Sequence, residues 1–300
     1  MNLPFSLRGK NPPCPRPQAQ RVKIPTLILL AALSTQAIGQ CSDAGVCSLG
    51  RQTADMSHEV SLTYLFGKST KADDLTFHSL QLGAAVQVSD QSRLSISLPF
   101  NRQSGPLGST TGSGDLTLLW SQTVLGGPSA RLGFQIGGKL AIADVNAKKL
   151  PQAYQSGLGT NDLLIGATSE FQHWNIAVAY QFSQDRSPNR IDRIKRGDDV
   201  LLRIGYSDAA DNWQLGAEML TIKRLQKSSV LLSASGQPEV YGVVPESNQT
   251  QVNLVGHAGY RLSSESELRG TVAFPLLNRK VNVDGLTRSL SLSIGFAYLL

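Results

Sequence analysis

The feature that most constrains the fold is an alternation of apolar and polar side chains with a period of two, sustained over long segments. In the last of these segments, apolar side chains at positions 290, 292, 294, 296 and 298 alternate with serine, glycine and alanine. This period is typical of a β-strand with one apolar face. The segments are about nine to fifteen residues long, whereas strands of soluble proteins average about five or six. A strand of about ten residues with one apolar face can cross a bilayer.

About twelve segments show this pattern. Their spans are 58–67, 75–89, 92–101, 114–125, 130–143, 161–172, 174–184, 199–207, 212–226, 248–262, 266–275 and 287–300. Long and short connections alternate between them, as in outer-membrane barrels with long extracellular loops and short periplasmic turns. We therefore predict an all-β fold, a transmembrane antiparallel β-barrel of about twelve strands in the bacterial outer membrane.

The first 39 residues have the character of a secretion signal. They contain five basic residues and no acidic one, followed by the apolar run IPTLILLAALSTQAIG, which is the order of a signal peptide. A lipoprotein signal is the alternative, because Cys41 follows the predicted cleavage point. We predict a signal peptide over 1–39, a short periplasmic segment over 40–57 and the barrel over 58–300.

Removal of this segment changes the meaning of the net charge of +6. Subtracting its five basic residues from the total of 28 leaves 23 basic residues against 22 acidic ones. A nearly neutral exported chain has no electrostatic footprint for nucleic acid, and we expect no such partner. The exported part retains Cys41 and Cys47, and an even pair in an oxidising compartment predicts a disulfide.

The last strand resembles the assembly signal of bacterial outer-membrane barrels. The resemblance rests on a polar residue, a glycine, an aromatic residue and a terminal hydrophobic residue: Ser293, Gly295, Tyr298 and Leu300. Members of that family usually end in phenylalanine, from which Leu300 departs. The resemblance implies that the barrel-assembly machinery is a partner, and outer-membrane lipid and lipopolysaccharide are expected around the barrel.

Alternation also predicts which polar side chains face the lumen. We expect solute contacts from Arg93, Arg131, Gln135, Lys139, Arg203, Glu218, Asn253, His257 and Arg269. Their basic excess favours polar or anionic small solutes, since rings of charge select permeants by sign. The alternative is that these charges neutralise one another or fill a plugged lumen.

Two long loops also admit alternatives. Segment 185–199 carries five basic residues, which could pair with lipopolysaccharide phosphates or could simply be solvated, because its acidic residues nearly balance them. Segment 228–247 is unusually apolar. It either folds inward as a constriction or extends the strands above the membrane.

The sequence shows no pattern of catalytic residues. It has four histidines, no Gly-x-Ser-x-Gly elbow and no metal-ligand spacing, whereas a hydrolase needs a nucleophile, a base and an orienting group that converge. We predict no enzyme activity, no cofactor and no metal. The expected function is an outer-membrane channel for passive uptake or efflux of small solutes. An outer-membrane enzyme of the lipid-hydrolase type and a plugged structural or surface-binding barrel are the alternatives.

Four stretches carry a resemblance to a known group. They are GSGDLTLLWSQ at 112–122, YQSGLGTNDLLIGA at 154–167, VAFPLLNRKVNVDG at 272–285 and SLSIGFAYLL at 291–300. They resemble outer-membrane transporters associated with the meta-pathway of phenol degradation, loosely grouped with fatty-acid-transporter-like barrels. The resemblance implies a channel for hydrophobic or aromatic small molecules, and it supplies no catalytic residues.

Overall fold

The fold is described from a computed structural model over residues 58–69, 74–127, 129–233, 236–284 and 288–300. The predicted signal peptide and the Cys41–Cys47 disulfide lie outside these ranges. Within the described ranges, no helix is long and apolar enough to cross a membrane.

Antiparallel β-strands make up nearly all of the regular structure. The strands are β1 Glu59–Ser69, β2 Thr76–Ser89, β3 Ser92–Gly105, β4 Gly108–Ser113, β5 Leu116–Gly126, β6 Ala130–Leu140, β7 Asp162–Phe171, β8 Trp174–Ser183, β9 Asp199–Ala210, β10 Trp213–Arg224, β11 Ser229–Leu231, β12 Tyr241–Val243, β13 Thr250–Ser263, β14 Ser266–Leu277 and β15 Arg288–Leu299. Two single-turn 3-10 helices, η1 Ala147–Lys149 and η2 Gln152–Tyr154, lie between β6 and β7.

The long strands close into a barrel. The main sheet of the described chain has thirteen strands, of which the short β4 pairs only with the outer part of β3. The other twelve form a ring, because β1 pairs with both β2 and β15 and β2 also pairs with β3. Closure leaves no free edge among the wall strands, which satisfies the backbone hydrogen-bonding groups without water. The predicted twelve-stranded antiparallel barrel is confirmed.

The alternation in sequence becomes an inside and an outside of the wall. On β1, the inward side chains of Ser61 and Thr63 are buried, whereas outward Tyr64 is 43% exposed. Leu82 on β2 and Ile176 on β8 are outward and 46% and 48% exposed. Exposed apolar side chains recur on every wall strand, a belt that would be unfavourable in water and is typical of a lipid-facing surface. The chain is a barrel of the outer-membrane type, as predicted.

The two ends of the barrel differ. One end has short turns between paired strands, at 90–91, 127–129, 172–173, 211–212 and 264–265. The other end carries the long connections, which we name L2 (106–115), L3 (141–161), L4 (184–198), L5 (225–249) and L6 (278–287). In outer-membrane barrels the short turns face the periplasm, so we call the half of the lumen at the short turns the inner half and the other half the outer half.

Aromatic side chains cluster at the short-turn end. The rings of Trp174 and Tyr206 meet edge-to-face with 5.3 Å between centroids, and those of Trp213 and Tyr260 lie 4.7 Å apart. Tryptophan and tyrosine are enriched where a membrane meets water. This cluster marks the level at which the short-turn end of the barrel leaves the membrane.

The apolar segment of L5 forms a hairpin. Strands β11 and β12 pair Ser229 with Val243 and Leu231 with Tyr241, outside the closed wall. Leu232 and Val243 are each 65% exposed, and Ser229 of the hairpin pairs with Lys195 of L4, so the hairpin is an exposed layer attached to L4.

The seam between the first and last wall strands is tightly packed. A Cβ atom at Gly295 would lie 2.4 Å from Thr63 Oγ1, so a side chain at this position would displace its neighbour. Of the four residues of the predicted assembly signal, Ser293 and Gly295 face inward, and Tyr298 faces outward and donates a hydrogen bond to Glu265. Leu300 follows β15 and is exposed. Their role in assembly stays a prediction.

Candidate functional site in the barrel lumen

All nine predicted lumen residues lie on the inward face of the wall. Six are buried: Arg93, Gln135, Lys139, Arg203, Glu218 and Asn253. Three are partly buried: Arg131, His257 and Arg269. Their contact with a solute stays a prediction, but the four arginines and Glu218 form ion pairs with one another and with carboxylates that the sequence analysis did not single out.

In the inner half, one carboxylate accepts hydrogen bonds from two arginines. Glu59, at the start of β1, accepts hydrogen bonds from Arg93 of β3 at 3.0 Å and from Arg269 of β14 at 3.2 Å. Arg269 also pairs with Glu267 at 2.7 Å. Glu59 and Arg93 are both buried, so this pair is shielded from water and its charges attract one another more strongly than they would at the surface, whereas Arg269 is partly exposed.

Two further ion pairs complete the inner half. Arg203 of β9 donates to Glu218 of β10, and both side chains are buried. Arg131 of β6 lies 3.6 Å from Glu170 of β7, and both are partly exposed. Every partner in these pairs sits on a wall strand, so the inner half carries charge that the wall itself balances.

In the outer half, three buried aspartates occupy equivalent positions. Asp115 immediately precedes β5, and Asp162 and Asp199 are the first residues of β7 and β9. Each is followed by Leu or Val at the outer end of a strand that runs inward. The sequence analysis missed these residues, although Asp115 and Asp162 stand in two of the stretches that carry the family resemblance.

Asp115 holds L3 inside the lumen. Its Oδ2 accepts hydrogen bonds from the backbone amides of Leu158 at 2.7 Å and Gly159 at 3.2 Å. Gly159 adopts a φ of +63°, a left-handed conformation that glycine takes at little cost. A carboxylate that accepts several backbone amides is well satisfied when buried, and it fixes this loop against the wall.

Asp162 holds L4 in the same manner. Its Oδ2 accepts a hydrogen bond from Arg196, whose side chain is 2% exposed, and another from Gln181 of β8. The expectation of an entirely solvated loop over 185–199 is wrong for Arg196. Burial of an arginine requires a charged partner, and that partner lies on a distant strand that the local charge balance of the loop does not include.

Asp199 holds L6. It accepts hydrogen bonds from Arg224 of β10 at 3.0 Å and from Arg279 of L6 at 3.2 Å. Asp284, also of L6, pairs with Arg224 at 2.9 Å and with Arg196 of L4 at 3.6 Å. L6 therefore reaches across the outer half to β9 and β10 and meets L4 there.

The arginines around Asp284 determine its ionisation. Burial alone would raise the pKa of this carboxyl, but the positive charges of Arg224, Arg196 and Arg279 hold it well below its usual range. Asp284 is therefore a carboxylate throughout the neutral range, and the network of three arginines and three aspartates (162, 199 and 284) is electrically balanced.

L3 and L4 also bind each other. Asn189 of L4 donates to the carbonyl of Val145 at 2.6 Å, and Ser187 Oγ donates to Gln152 Oε1 at 2.7 Å. Asn189, Ser187 and Gln152 are all buried. Polar groups buried in loops need such partners, and here the partners join the two loops into one layer.

A small cavity lies in the outer half, lined mostly by residues of β1, β2 and β3. Its volume is about 30 Å³, enough for a small polar head group but not for an aromatic ring. Its lining includes Leu65, Phe77, Gln103, Asp115 and Lys139.

The histidines give no catalytic arrangement among the described residues. His78 and Ser79 lie on opposite faces of β2, as expected, and the His78 ring accepts from or donates to the Tyr64 hydroxyl at 2.6 Å on the outer surface. His173 lies 3.3 Å from Asp208 at the short-turn end. His257 faces the lumen and packs against Gly216, where a Cβ would lie 2.3 Å from Nε2. The described part of the chain also contains no group of three or more metal-ligating side chains.

Comparison with known proteins finds similarity in structure alone. No protein-family model matches the sequence, and no curated protein sequence does. The COG4313 outer membrane channel from Pseudomonas putida F1 has a TM-score of 0.60 and 13% identity, over 83% of this chain and 97% of that one. The likeness shows a shared barrel fold.

Two other solved structures are more distant. The KdgM porin has a TM-score of 0.45 and 8% identity, over 81% of this chain and 99% of that one. The CymD monoaromatic hydrocarbon channel has a TM-score of 0.43 and 12% identity, over 81% and 88%. These three proteins are named as channels or porins.

Proposed function

We propose that this protein is an outer-membrane channel for passive passage of small solutes, and that L3, L4 and L6 close its outer half. The observation that carries the proposal is that the residues that close the outer half belong to loops and not to the wall. Arg196, Arg279 and Asp284 belong to loops, and ion pairs attach them to a wall that is complete without them.

This arrangement permits opening without damage to the wall. Every long strand is hydrogen-bonded to two wall neighbours, so displacement of a loop costs loop contacts and no wall hydrogen bond. Order–disorder transitions of surface segments are a common way to switch a protein between two states. A closed population that exchanges with a minor open one accounts for a channel whose resting lumen is filled.

The solutes we propose are small hydrophobic or aromatic compounds that carry a polar group. Two features support this class: the resemblance to transporters associated with phenol degradation, and a lumen that mixes charged residues with Leu164, Leu220 and Ile222, all buried. The proposed channel is not an enzyme, because His257, the one lumen histidine of the described chain, packs against glycine, whereas a hydrolase needs a nucleophile, a base and an orienting group together.

The surroundings of the barrel are proposals too. The apolar belt fits a shell of outer-membrane lipid, with lipopolysaccharide at the loop end. The match of β15 to an assembly signal supports insertion by the barrel-assembly machinery.

Conductance measurements test the proposed channel function. The folded protein is reconstituted in planar bilayers and in liposomes, and current and solute-dependent swelling are measured for the wild type and Asp162→Asn. We expect rare, small current steps for the wild type and a several-fold higher open probability for Asp162→Asn, because the tie of Arg196 to the wall is weakened.

The matched control is Asp208→Asn, which removes a carboxylate that is 60% exposed at the other end of the barrel and should leave the open probability unchanged. A folded protein that neither conducts nor swells liposomes, in the wild type and in Asp162→Asn alike, contradicts the proposal.

A further inference from the structure

We propose that the cavity beside Lys139 binds the carboxylate group of a small organic acid on its way through the barrel. The inference rests on the proposed channel function, which it deepens by naming a class of solute. The observation that carries it is a buried ammonium group that lines the cavity and lacks a hydrogen-bond acceptor among the described residues.

Lys139 lies near the outer end of β6 and is 4% exposed. Its neighbours in register are Thr117 on β5 and Asp162 on β7. Its Nζ has no hydrogen-bond partner in the described part of the chain. A buried lysine amine without a hydrogen-bond partner is costly, and a carboxylate bound in the cavity would accept its hydrogen bonds and favour its protonated form.

The carboxylates around Lys139 are already committed to other donors. Asp115 accepts the backbone amides of L3. Asp162 accepts Arg196 and Gln181 on Oδ2 and the Thr160 hydroxyl on Oδ1. They balance part of the charge of Lys139 without giving it a hydrogen bond, so an incoming carboxylate would add an interaction and would not need to displace one.

The remaining walls of the cavity define the rest of the ligand. Leu65 and Phe77 line it and are buried, and the guanidinium carbon of Arg288 lies 3.8 Å from the centre of the Phe77 ring. Gln103 donates from Nε2 to the carbonyl of Gln155 at 2.5 Å, and its buried Oε1 has no hydrogen-bond partner among the described residues. Cationic, apolar and polar surfaces thus meet in one place.

The size of the cavity selects among anions. A volume of about 30 Å³ admits a planar carboxylate more readily than a bulkier tetrahedral phosphate, and it leaves the rest of the acid outside the cavity. A carboxylate attached to an apolar carbon matches both the ammonium of Lys139 and the surfaces of Leu65 and Phe77.

Benzoate and its neutral isostere benzamide are suitable probes, with the carboxylate or amide group in the cavity and the ring outside it. Saturation-transfer NMR is recorded on the full-length folded protein in detergent micelles, with folding checked by heat-modifiable migration in gels. We expect benzoate to bind and benzamide to bind at least about tenfold more weakly, because a charge-assisted hydrogen bond is lost.

Variants assign the binding to the cavity. Lys139→Gln should weaken benzoate binding at least about tenfold, whereas Lys139→Arg retains the charge and should bind it within a fewfold of wild type. Lys227→Gln, which removes one charge from an exposed position in L5, should match the wild type. If Lys139→Gln does not fold, Lys139→Met is tested in its place, because an apolar side chain has no buried donor that needs a hydrogen-bond acceptor.

Several results would overturn the inference. Equal binding of benzoate and benzamide to the wild type would remove the role of charge, and undiminished benzoate binding by folded Lys139→Gln or Lys139→Met would remove the role of the site. The two proposals fail separately. A wild type that conducts but does not bind benzoate retains the channel and contradicts the inference, whereas one that binds benzoate but never conducts retains the site and contradicts the channel.

Discussion

The two halves of the lumen balance their charges in different ways. In the inner half, Glu59, Arg93, Arg203 and Glu218 are all wall residues, and their ion pairs join one strand to another. In the outer half, most ion pairs include a loop residue, as in the pair of Arg279 with Asp199, and only that of Arg224 with Asp199 joins two wall strands among the described residues.

This difference separates a fixed part of the lumen from a movable one. Ion pairs between wall strands add to hydrogen bonds that are already in place, so breaking one leaves the neighbouring backbone where it was. Ion pairs between a loop and the wall are among the contacts that keep the loop inside. The same chemistry should therefore affect stability alone in the inner half, and both stability and opening in the outer half.

The largest expected effect is at Asp199. In Asp199→Asn, buried Arg224 and Arg279 lose a charged partner, and we expect the free energy of unfolding to fall by about 3–5 kcal/mol. We also expect L6 to become accessible, with faster trypsin cleavage after exposed Lys280. Urea unfolding and timed proteolysis measure the two effects, and an unchanged cleavage rate would contradict the loop-holding role of Asp199.

A comparable loss of stability without loop release is expected at Glu218. Glu218→Gln removes the carboxylate that pairs with buried Arg203, so the free energy of unfolding should fall by about 3 kcal/mol. Trypsin cleavage of L4 and L6 in the folded protein should stay at the wild-type rate. If this variant releases the loops as Asp199→Asn does, the division between the two halves is wrong.

Acid should protonate Asp284 of the outer network only at very low pH. Because the folded-state pKa of Asp284 lies well below its usual range, its contribution to stability is complete above the unfolded pKa of about 3.9 and is lost as the pH falls through the lower folded value. Open probability in planar bilayers should therefore not rise between about pH 7 and about pH 4. Asp284→Asn should raise it already at neutral pH, and a wild-type rise near about pH 6 would contradict this account.

The smallest effect is expected at the partly exposed pair of the inner half. Arg131 and Glu170 are 29% and 27% exposed at a separation of 3.6 Å, and water screens pairs of this kind. Arg131→Gln should change the free energy of unfolding by at most about 1 kcal/mol. A loss as large as that of Glu218→Gln, measured under the same conditions, would show that exposure does not rank these pairs.

The barrel could be predicted from sequence because its determinants are local and periodic. A period of two specifies which side chains face inward, and it placed all nine candidate residues on the lumen face, from Arg93 on β3 to Arg269 on β14. The alternation of long and short connections could be predicted because the spans of the alternating segments also define the gaps between them. The short strands β4, β11 and β12 were not predicted, because too few residues alternate there to stand out.

The folded-in loops could not be predicted in this way. The tie of Arg196 to Asp162 and that of Arg279 to Asp199 join residues far apart in the chain, and no period or spacing links them. Local charge counting placed L4 in solvent because its bases and acids nearly balance. The available signal was the repetition of an aspartate followed by Leu or Val at Asp115, Asp162 and Asp199, which marks inward-facing carboxylates at the outer ends of three strands.

The seam at Gly295 and Thr63 has a consequence for the order of folding. The pairing of β1 with β15 joins the most distant strands of the described chain. β1 therefore cannot pair with this second neighbour until every other wall strand is in place. Contacts of such long sequence separation form slowly. Gly295→Val, which would place atoms where Thr63 Oγ1 now lies, should slow closure of the ring more than it slows pairing of the hairpins, and the unclosed intermediate would accumulate with both terminal strand edges exposed.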